Sequence, residues 1–280
     1  MMANSINSTD TIIMAALSTL SPPHHSHLSD SISALLRRHL GRLVSLLSSP
    51  ALFAVTLRHL QSLSLHHKCL LIARHLLSSL TILRHALLSP SEAAQPPAAR
   101  MKLRDLDAAL LLLLLCELHH HDRRHLLDAP PSRWRALLAA YASSAVLRLS
   151  SFGGCSGGEA LVQFAESVRR CWDLVRVMGG GEGRAAAAAA AAVVALPSVS
   201  AGGGEECAIC REEMREGRDV CELPCNHLFH WICILRWLEK THTCPCCRRR
   251  LPTDDLRREI ERLLEEIAVI GGGCEHGRIQ

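Results

Sequence analysis

Eight cysteine and histidine residues near the carboxyl-terminal end of the chain follow one another in a regular order. The spacing is C-x2-C, 14 residues, C-x-H-x2-H-x2-C, ten residues and C-x2-C, and the members are Cys207, Cys210, Cys225, His227, His230, Cys233, Cys244 and Cys247. Thiolates and imidazoles in groups of four are the usual tetrahedral ligands of structural zinc. Eight ligands make two closed sites with no position left for water, which argues against a zinc hydrolase. The segment therefore predicts two structural zinc ions.

This cysteine-rich segment, residues 207–250, is too short to fold by apolar burial alone. Zinc supplies the missing stability, on the order of 10–16 kcal/mol for each structural site. Of the 13 cysteines in the chain, Cys221 and Cys246 lie inside the segment but outside the paired order. Spacing favours Cys244 and Cys247 as the last pair, and we interpret Cys221 and Cys246 as small packing residues.

The ordered ligand set resembles the RING finger family, in the variant with two histidines at the fourth and fifth ligand positions. The resemblance covers residues 207–248 and extends to side chains beside the ligands, namely Phe229, Ile234, Trp237, Leu238, Thr243, Pro245 and Arg248. The PHD finger is the nearest competitor, but it normally has an aromatic residue where this chain has His242. Spacing alone would allow the pairs to bind zinc in sequence.

The family implies an interleaved arrangement instead. One zinc ion is then held by Cys207, Cys210, His230 and Cys233, and the other by Cys225, His227, Cys244 and Cys247. Because the pairs cross, both ends of the segment are tied together. Loss of either ion should loosen the whole module.

RING fingers of this kind are typically ubiquitin ligases, so the resemblance implies an enzyme, a RING-type ubiquitin transferase. Such a ligase binds a ubiquitin-conjugating enzyme charged with ubiquitin and promotes transfer to a substrate lysine, with no covalent ligase intermediate. Motif position assigns Ile209, Trp237 and Pro245 to the surface that contacts the conjugating enzyme. The resemblance also implies that Arg248 is the catalytic side chain, in contact with both that enzyme and ubiquitin. Trp231 and Leu235 are the better candidates for internal packing.

Two other functions fit less well. A non-catalytic zinc finger that only holds a protein partner is the alternative, but it would not need the intact docking set together with Arg248. Nucleic-acid binding would want a basic recognition helix, whereas the helix after His230 is largely apolar and the net charge is only +4. We therefore expect no nucleic-acid partner.

The rest of the chain is predicted to be mainly α. Residues 28–178 carry apolar side chains at intervals of three and four with almost no alternation, which indicates packed helices. A leucine-rich stretch at residues 103–118 is apolar all round and predicts a central helix. We expect this α-helical region to recruit a protein substrate or adaptor. Five histidines of a recurring Arg-His motif, His39, His59, His75, His85 and His125, are expected on the polar faces of the helices.

Composition divides the remainder of the chain. Residues 1–27 are interpreted as a flexible leader, residues 179–204 as a Gly/Ala-rich linker with no face to bury, and residues 205–250 as the finger. Residues 253–270 form a short C-terminal helix with a seam of Leu256, Ile260, Leu263, Ile267 and Ile270. This helix either packs on the finger or pairs with another copy, which would make the protein a homodimer.

No apolar run approaches the roughly 20 residues of a membrane-spanning helix. The N-terminus lacks the features of a secretory signal. We therefore expect no membrane span, and because clustered cysteines act as metal ligands where thiols stay reduced, we expect a cytoplasmic and/or nuclear location.

Overall fold

The structure is a computed structural model that describes residues 9–18, 22–88, 101–150, 157–178, 187–200, 202, 204–214 and 220–272. These residues fall in two compact units. The helical unit comprises residues 1–180 and 263–280, and the RING unit, so called because it holds the cysteine-rich segment, comprises residues 181–262. The mainly α fold predicted from the sequence is confirmed.

The first unit contains eight described helices, in chain order. They are α1 Thr9–Ser18, α2 Pro22–Ser48, α3 Pro50–Ser62, α4 Leu65–Leu88, α5 Leu103–His121, α6 Arg123–Asp128, α7 Pro131–Ser150 and α8 Gly157–Met178. Pro50 opens α3, where its missing N–H costs nothing. The Ser49 hydroxyl accepts a hydrogen bond of 3.3 Å from the Leu52 backbone N–H and so caps that helix.

Helix α5 lies in the middle of this unit, as its leucine run predicts. It contacts α2, α3, α4, α6 and α7, and its residues 107–111 are all buried. Arg42 of α2 donates two hydrogen bonds, of 3.0 and 2.6 Å, to the buried Asp107 carboxylate. A second layer forms where α8 packs against α1, α2 and α4. The buried stripe of α8 consists of Leu161, Phe164, Ala165, Val168, Cys171 and Val175.

The amino-terminal residues differ from the expected flexible leader. Helix α1 buries Ile13, Ala16 and Leu17 and contacts α8, and α2 begins at Pro22 rather than near Ser29. Burial of apolar side chains thus outweighs the polar composition of this stretch. The leader prediction is wrong for residues 9–18 and 22–27, while residues 1–8 and 19–21 lie outside the described residues.

The motif histidines do not share one environment, contrary to the prediction that all face solvent. His75 is buried, and its ring lies 5.1 Å from that of the half-buried His39. Burial lowers the pKa of His39 to about 4, with a smaller contribution from Arg38. Burial also lowers the pKa of His75 to about 4, with a smaller contribution from His39. The side chain of His125 lies outside the described residues.

The RING unit contains α9 Ala190–Val194, β1 Ser198–Val199, β2 Val220–Glu222, β3 Leu228–His230 and α10 Trp231–Leu238. Its described strands form one antiparallel sheet in the order β1-β2-β3. Cys221 pairs with Ser198 on one side and Phe229 on the other. The hydrophobic core of this unit consists of Leu196, Cys207, Met214, Val220, Cys221, Leu223, Phe229, Ile234, Leu238, Cys244 and Leu251.

Part of the predicted linker belongs to this RING unit. Residues 187–199, which we call the alanine strap, contain α9 and β1, and Leu196 is buried in the unit's core. The prediction that the alanines have no face to bury overlooked the backbone, whose N–H groups bond to the finger at Ala188 and Ala189. The linker prediction is therefore wrong for residues 187–199. Residues 179–186, 201 and 203 lie outside the described residues.

Helix α11, Leu256–Gly272, is the predicted C-terminal helix. Its first residues group with the RING unit, and its residues from Leu263 onward group with the helical unit. Ile260, Leu263 and Ile267 are buried within the chain. Pairing with a second copy through these residues would require α11 to leave its place.

No single helix among the described residues is both long and apolar enough to cross a bilayer. One bent pair, residues 25–48 and 50–62 at 103° to each other, has the necessary length and apolar composition, and these are its only membrane-like properties.

Candidate metal centres and partner surface

Two cysteine pairs lie in turns of the same construction. In the first knuckle, the Arg211 N–H donates to the Cys207 carbonyl at 2.7 Å and the Cys207 N–H donates to Glu212 at 2.9 Å. In the second knuckle, the Arg248 N–H donates to the Cys244 carbonyl at 3.0 Å and the Cys244 N–H donates to Arg249 at 2.9 Å.

Each knuckle closes on an arginine in the left-handed region, with φ of 62° at Arg211 and 59° at Arg248. This conformation is uncommon for a residue with a side chain. The turn thus holds the two cysteines of each pair on the same side. Arg211 and Arg248 occupy equivalent positions, and both are exposed.

A hairpin and the helix after it supply the other four ligand-type residues. Strands β2 and β3 pair from Val220–His230 to Glu222–Leu228, and the turn between them carries Cys225 and His227. Asn226 adopts a φ of 61° in this turn, and its N–H donates to Leu223 at 2.8 Å. His230 ends β3, and α10 begins at once, which places Cys233 in its first turn.

These elements bring the eight residues together as two groups of four. One group is Cys207, Cys210, His230 and Cys233, and the other is Cys225, His227, Cys244 and Cys247. Within each group the ligand atoms all lie within 4.8 Å of one another. The structure thus forms the interleaved groups that the family resemblance implies, rather than groups of consecutive pairs.

The donor set of each group, three cysteines and one histidine, fits a tetrahedral structural metal. The His230 Nδ1 atom lies 3.4 Å from the Cys210 Sγ atom, and the His227 Nδ1 atom lies 3.3 Å from the Cys225 Sγ atom. Two ligands of one tetrahedral zinc, with bonds of about 2.0 Å to nitrogen and about 2.3 Å to sulfur, stand about 3.5 Å apart. Both groups can therefore hold a metal ion.

The thiols of each group differ in their protonation equilibria. Burial raises the pKa of Cys225 and of Cys233 to about 12, and neighbouring thiols add to the effect. For Cys207, burial alone would raise the pKa, but hydrogen bonds from the Cys210 and other backbone amides outweigh it and leave the pKa lowered. The Arg249 backbone amide lowers the pKa of Cys247. Because a metal binds thiolates, its binding must displace protons here.

The two cysteines outside the paired order lie in different surroundings. Cys221 is fully buried in β2, and burial raises the pKa of its thiol to about 11. It is therefore a packing residue, as predicted. Cys246 is exposed and belongs to neither group of ligands.

The residues predicted to contact a partner lie in the two knuckles and in α10. Ile209 and Pro245 are half-buried, and Ile209 packs against the core of the RING unit. Trp237 is 38% exposed, and its indole N–H donates to the Thr243 carbonyl at 2.8 Å. Thr243 directly precedes Cys244. The orientation of the indole is thus tied to the chain that forms the second knuckle.

Two apolar residues of α10 are exposed: one was predicted to be buried, and the other was not considered in the sequence analysis. Leu235, predicted to pack internally, is exposed, and Ile232 is 68% exposed. Trp231, by contrast, is half-buried, and its indole N–H donates to the Ser198 hydroxyl at 2.8 Å. This bond could not be predicted from the sequence, because Ser198 lies outside the cysteine-rich segment.

Comparisons with known proteins agree with the site. Residues 205–248 match the family model described as Ring finger domain. Over 274 residues the chain is 48% identical to the Arabidopsis thaliana protein named E3 ubiquitin-protein ligase SGR9, amyloplastic, a match that covers 91% of this chain and 94% of that protein.

Shorter matches cover 18–24% of the chain. The chain is 56% identical over 50 residues to the E3 ubiquitin-protein ligase RNF181 of Rattus norvegicus, covering 18% of this chain and 30% of that protein. It is 52% identical over 50 residues to the E3 ubiquitin-protein ligase RING1-like of Arabidopsis thaliana, covering 18% and 15% respectively.

The knuckles, the hairpin and the interleaved ligand groups define a RING finger protein. With a relative of this similarity along nearly its whole length, the chain belongs to the RING finger E3 ubiquitin-protein ligases, which are ubiquitin transferases.

Proposed function

We propose that this ligase binds a ubiquitin-conjugating enzyme charged with ubiquitin and promotes transfer of the ubiquitin to a substrate lysine. The observation that carries the proposal is the fixed, exposed indole of Trp237, bonded to Thr243 beside the second knuckle. Ile209 and Pro245 complete the surface for the conjugating enzyme. Aromatic side chains that are fixed in place are typical anchors of protein interfaces.

The reaction requires no group of the ligase to be consumed. The lysine amine attacks the thioester carbonyl carbon, a C–N bond forms and the C–S bond breaks. The nitrogen releases one proton to water, and the thiolate remains on the conjugating enzyme. The ligase accelerates this step by holding the thioester in a reactive orientation, which is worth several orders of magnitude in rate when geometry is well fixed.

Arg248 is proposed to contact both the conjugating enzyme and ubiquitin. Its guanidinium is exposed, and it offers five donors in a rigid plane, which suits a bridging task. Its backbone is held by the bond from its N–H to the Cys244 carbonyl. The side chain therefore starts from a fixed point next to the second group of metal ligands.

Two structural zinc ions are proposed for the two ligand groups. When bound, zinc supplies folding stability, because each group closes a tetrahedron of protein ligands. The side chains of Trp237 and Arg248 then act on the partner from a rigid platform.

The helical unit is proposed to recruit the substrate or an adaptor. Support comes from the Arabidopsis relative, since its similarity extends across this unit as well as the finger. The unit also has a half-open cavity of about 850 Å³ whose lining includes Leu113, Leu126 and Trp134. Trp134→Ala should leave ubiquitin transfer to free lysine unchanged while reducing modification of protein substrates in cells; an unchanged substrate profile would contradict this assignment.

The cytoplasm and/or nucleus remains the proposed location of this chain. The name of the Arabidopsis relative places that protein in the amyloplast, so the plastid is the alternative outcome. A fluorescent fusion of the full chain, imaged with plastid and nuclear markers, separates the two: plastid signal alone would contradict the proposal.

The transfer proposal is tested by ubiquitin discharge from a charged conjugating enzyme onto free lysine, with the full chain and a panel of conjugating enzymes. Wild type should accelerate discharge, and Trp237→Ala should reduce the acceleration at least about tenfold, as expected for loss of an interface anchor. Ile232→Ala is the matched control, because it removes an exposed apolar side chain from the same helix. If wild type binds both metal ions but does not accelerate discharge, the transfer proposal is wrong. The alternative, a non-catalytic zinc finger that only holds a protein partner, would then be favoured.

A further inference from the structure

The alanine strap lies outside the residues that match the Ring finger family model, which begin at residue 205. Its first residues nevertheless bond to the finger through their backbone. The Ala188 N–H donates to the Leu238 carbonyl at 3.0 Å, and the Ala189 N–H donates to the Pro252 carbonyl at 2.8 Å. The Thr253 hydroxyl donates to the Ala187 carbonyl at 2.9 Å. The start of the strap is thus fixed to the last residue of α10.

The other end of the strap is fixed near the first residue of α10. Strand β1 pairs with β2 at Ser198–Cys221 and Val199–Val220, and Leu196 is only 8% exposed. The Trp231 indole N–H donates to the Ser198 hydroxyl at 2.8 Å. Trp231 is the residue on which α10 begins.

Helix α10 needs such support. It has eight residues, and helices shorter than about 12 residues are marginal without tertiary contacts. The Leu238 carbonyl is one of the four at the end of a helix that have no partner inside the helix, and Ala188 supplies one. Cys233 anchors only the first turn, whereas Trp237 lies near the far end.

We propose that the alanine strap is a positioning element for ubiquitin transfer: it holds both ends of α10 so that Trp237 is presented to the conjugating enzyme in one orientation. The inference rests on the proposed docking role of Trp237. It assigns a function to a low-complexity segment that contains no metal ligand and none of the partner-surface residues named above. Positioning acts through α10, so it should change the affinity for the conjugating enzyme more than the rate of the bound complex.

The test compares two full-length variants of the strap. Leu196→Asp places a charge at a buried position and should release the strap, whereas Val194→Asp places the same charge on a side chain that is 85% exposed. Three quantities are measured for each variant: zinc content, hydrogen exchange of the α10 amides, and lysine discharge over a range of concentrations of charged conjugating enzyme.

For Leu196→Asp we expect two zinc ions, faster exchange in α10 and a half-saturating concentration of conjugating enzyme raised about tenfold, the change that follows from loss of one well-placed anchor. The maximal discharge rate should stay within about twofold of wild type, since the bound complex is chemically the same. Val194→Asp should match wild type in all three measurements.

A finer variant pair tests the bond at the start of α10. Ser198→Ala removes the acceptor of the Trp231 indole and should raise the half-saturating concentration by about two- to fivefold, the size of one neutral hydrogen bond. Ser198→Thr keeps the hydroxyl in a strand and should restore the wild-type value.

Several results would overturn the inference. Unchanged α10 exchange and discharge in Leu196→Asp would make the strap a passive tether, and loss of zinc in the same variant would make it a general structural support. If wild type itself fails to accelerate discharge but Leu196→Asp still loosens α10, the proposed transfer function fails while the strap's hold on α10 stands.

Discussion

The helical unit and the RING unit reach a fixed structure by different means. In the helical unit, long stripes of leucine and other apolar side chains on α5 and α8 are buried, and their burial is the main favourable term. In the RING unit the buried apolar set is small, and two four-residue ligand groups join segments that are distant in sequence. With the proposed zinc ions bound, one chain has two sources of stability. A perturbation can therefore be chosen that acts on one unit and spares the other.

Removal of metal should have the largest effect and should fall on the RING unit alone. A strong chelator would take away on the order of 10–16 kcal/mol for each structural site, so residues 187–255 should lose hydrogen-exchange protection while α5 and α8 keep theirs. Loss of protection in both units would contradict the view that the metal stabilises the RING unit alone.

Substitution of a single ligand tests whether the two ligand groups depend on each other. Because the groups are interleaved, Cys210→Ala should lower the zinc content from two towards none, rather than to one. Cys246→Ala is the matched control, since this cysteine is exposed and belongs to neither group. Stable retention of one zinc in Cys210→Ala, measured by mass spectrometry of the native protein, would show that the groups are independent.

A cavity beside α5 should be the next largest perturbation, and it should destabilise the helical unit while leaving the RING unit intact. Leu111 is fully buried in the middle of the helix, so Leu111→Ala should lower the free energy of unfolding of the helical unit by about 2–5 kcal/mol. Denaturant unfolding followed by helix circular dichroism measures this loss. Leu103→Ala, at an exposed position of the same helix, should cost little. A loss of zinc in Leu111→Ala would contradict the separation of the two units.

Acid should destabilise the helical unit by a smaller amount through His39 and His75. Burial lowers the pKa of each from 6.5 to about 4 in the folded chain, so between these values the unfolded chain binds more protons. Stability is therefore present at pH 7 and is lost as the pH falls through this window. From pH 7 to pH 5 the loss is about 2 kcal/mol for His75 and less for the half-buried His39.

Variant proteins test this origin of the pH dependence. His75→Leu should flatten the fall in melting temperature of the helical unit between pH 7 and pH 5, since no buried imidazole remains at that position to be protonated. His120→Gln removes an exposed histidine and should keep the wild-type slope. An unchanged slope in His75→Leu would assign the acid sensitivity to other groups.

The eight ligand-type residues could be recognised in the sequence because metal coordination leaves a strict spacing. Cys207 and Cys210 must lie in one turn, and so must Cys244 and Cys247, whereas the other ligands follow from the hairpin and α10. The interleaving could not be read from the spacing, which allows consecutive pairs as well. It came from the family resemblance, and the structure brings the same residues together.

The wrong predictions, for the linker, the leader and the motif histidines, share a physical cause. The contacts that decide these regions leave no recognisable pattern of side chains in the local sequence. Ala188 and Ala189 hold the strap through backbone N–H groups, and alanine gives no hint of a partner. The burial of Ile13 depends on α8, far away in the chain. The motif histidines look alike in sequence, and the packing of α2 on α4 brings His39 against the buried His75, whereas His59 and His85 are half-buried elsewhere.

The central claim is that transfer depends on side chains presented by the RING unit, and the paired arginines test it most directly. Arg211 and Arg248 have the same backbone conformation at the ends of equivalent knuckles. Replacement by alanine should therefore have the same effect on the backbone at either position, and the two variants differ only in which guanidinium is lost. In lysine discharge by the full chain, Arg248→Ala should reduce the rate at saturating conjugating enzyme by at least about tenfold, the loss of one bridging charged contact, with two zinc ions retained. Arg211→Ala should match wild type. Equal rates for the two variants would contradict the proposed role of Arg248 and the account of transfer built on it.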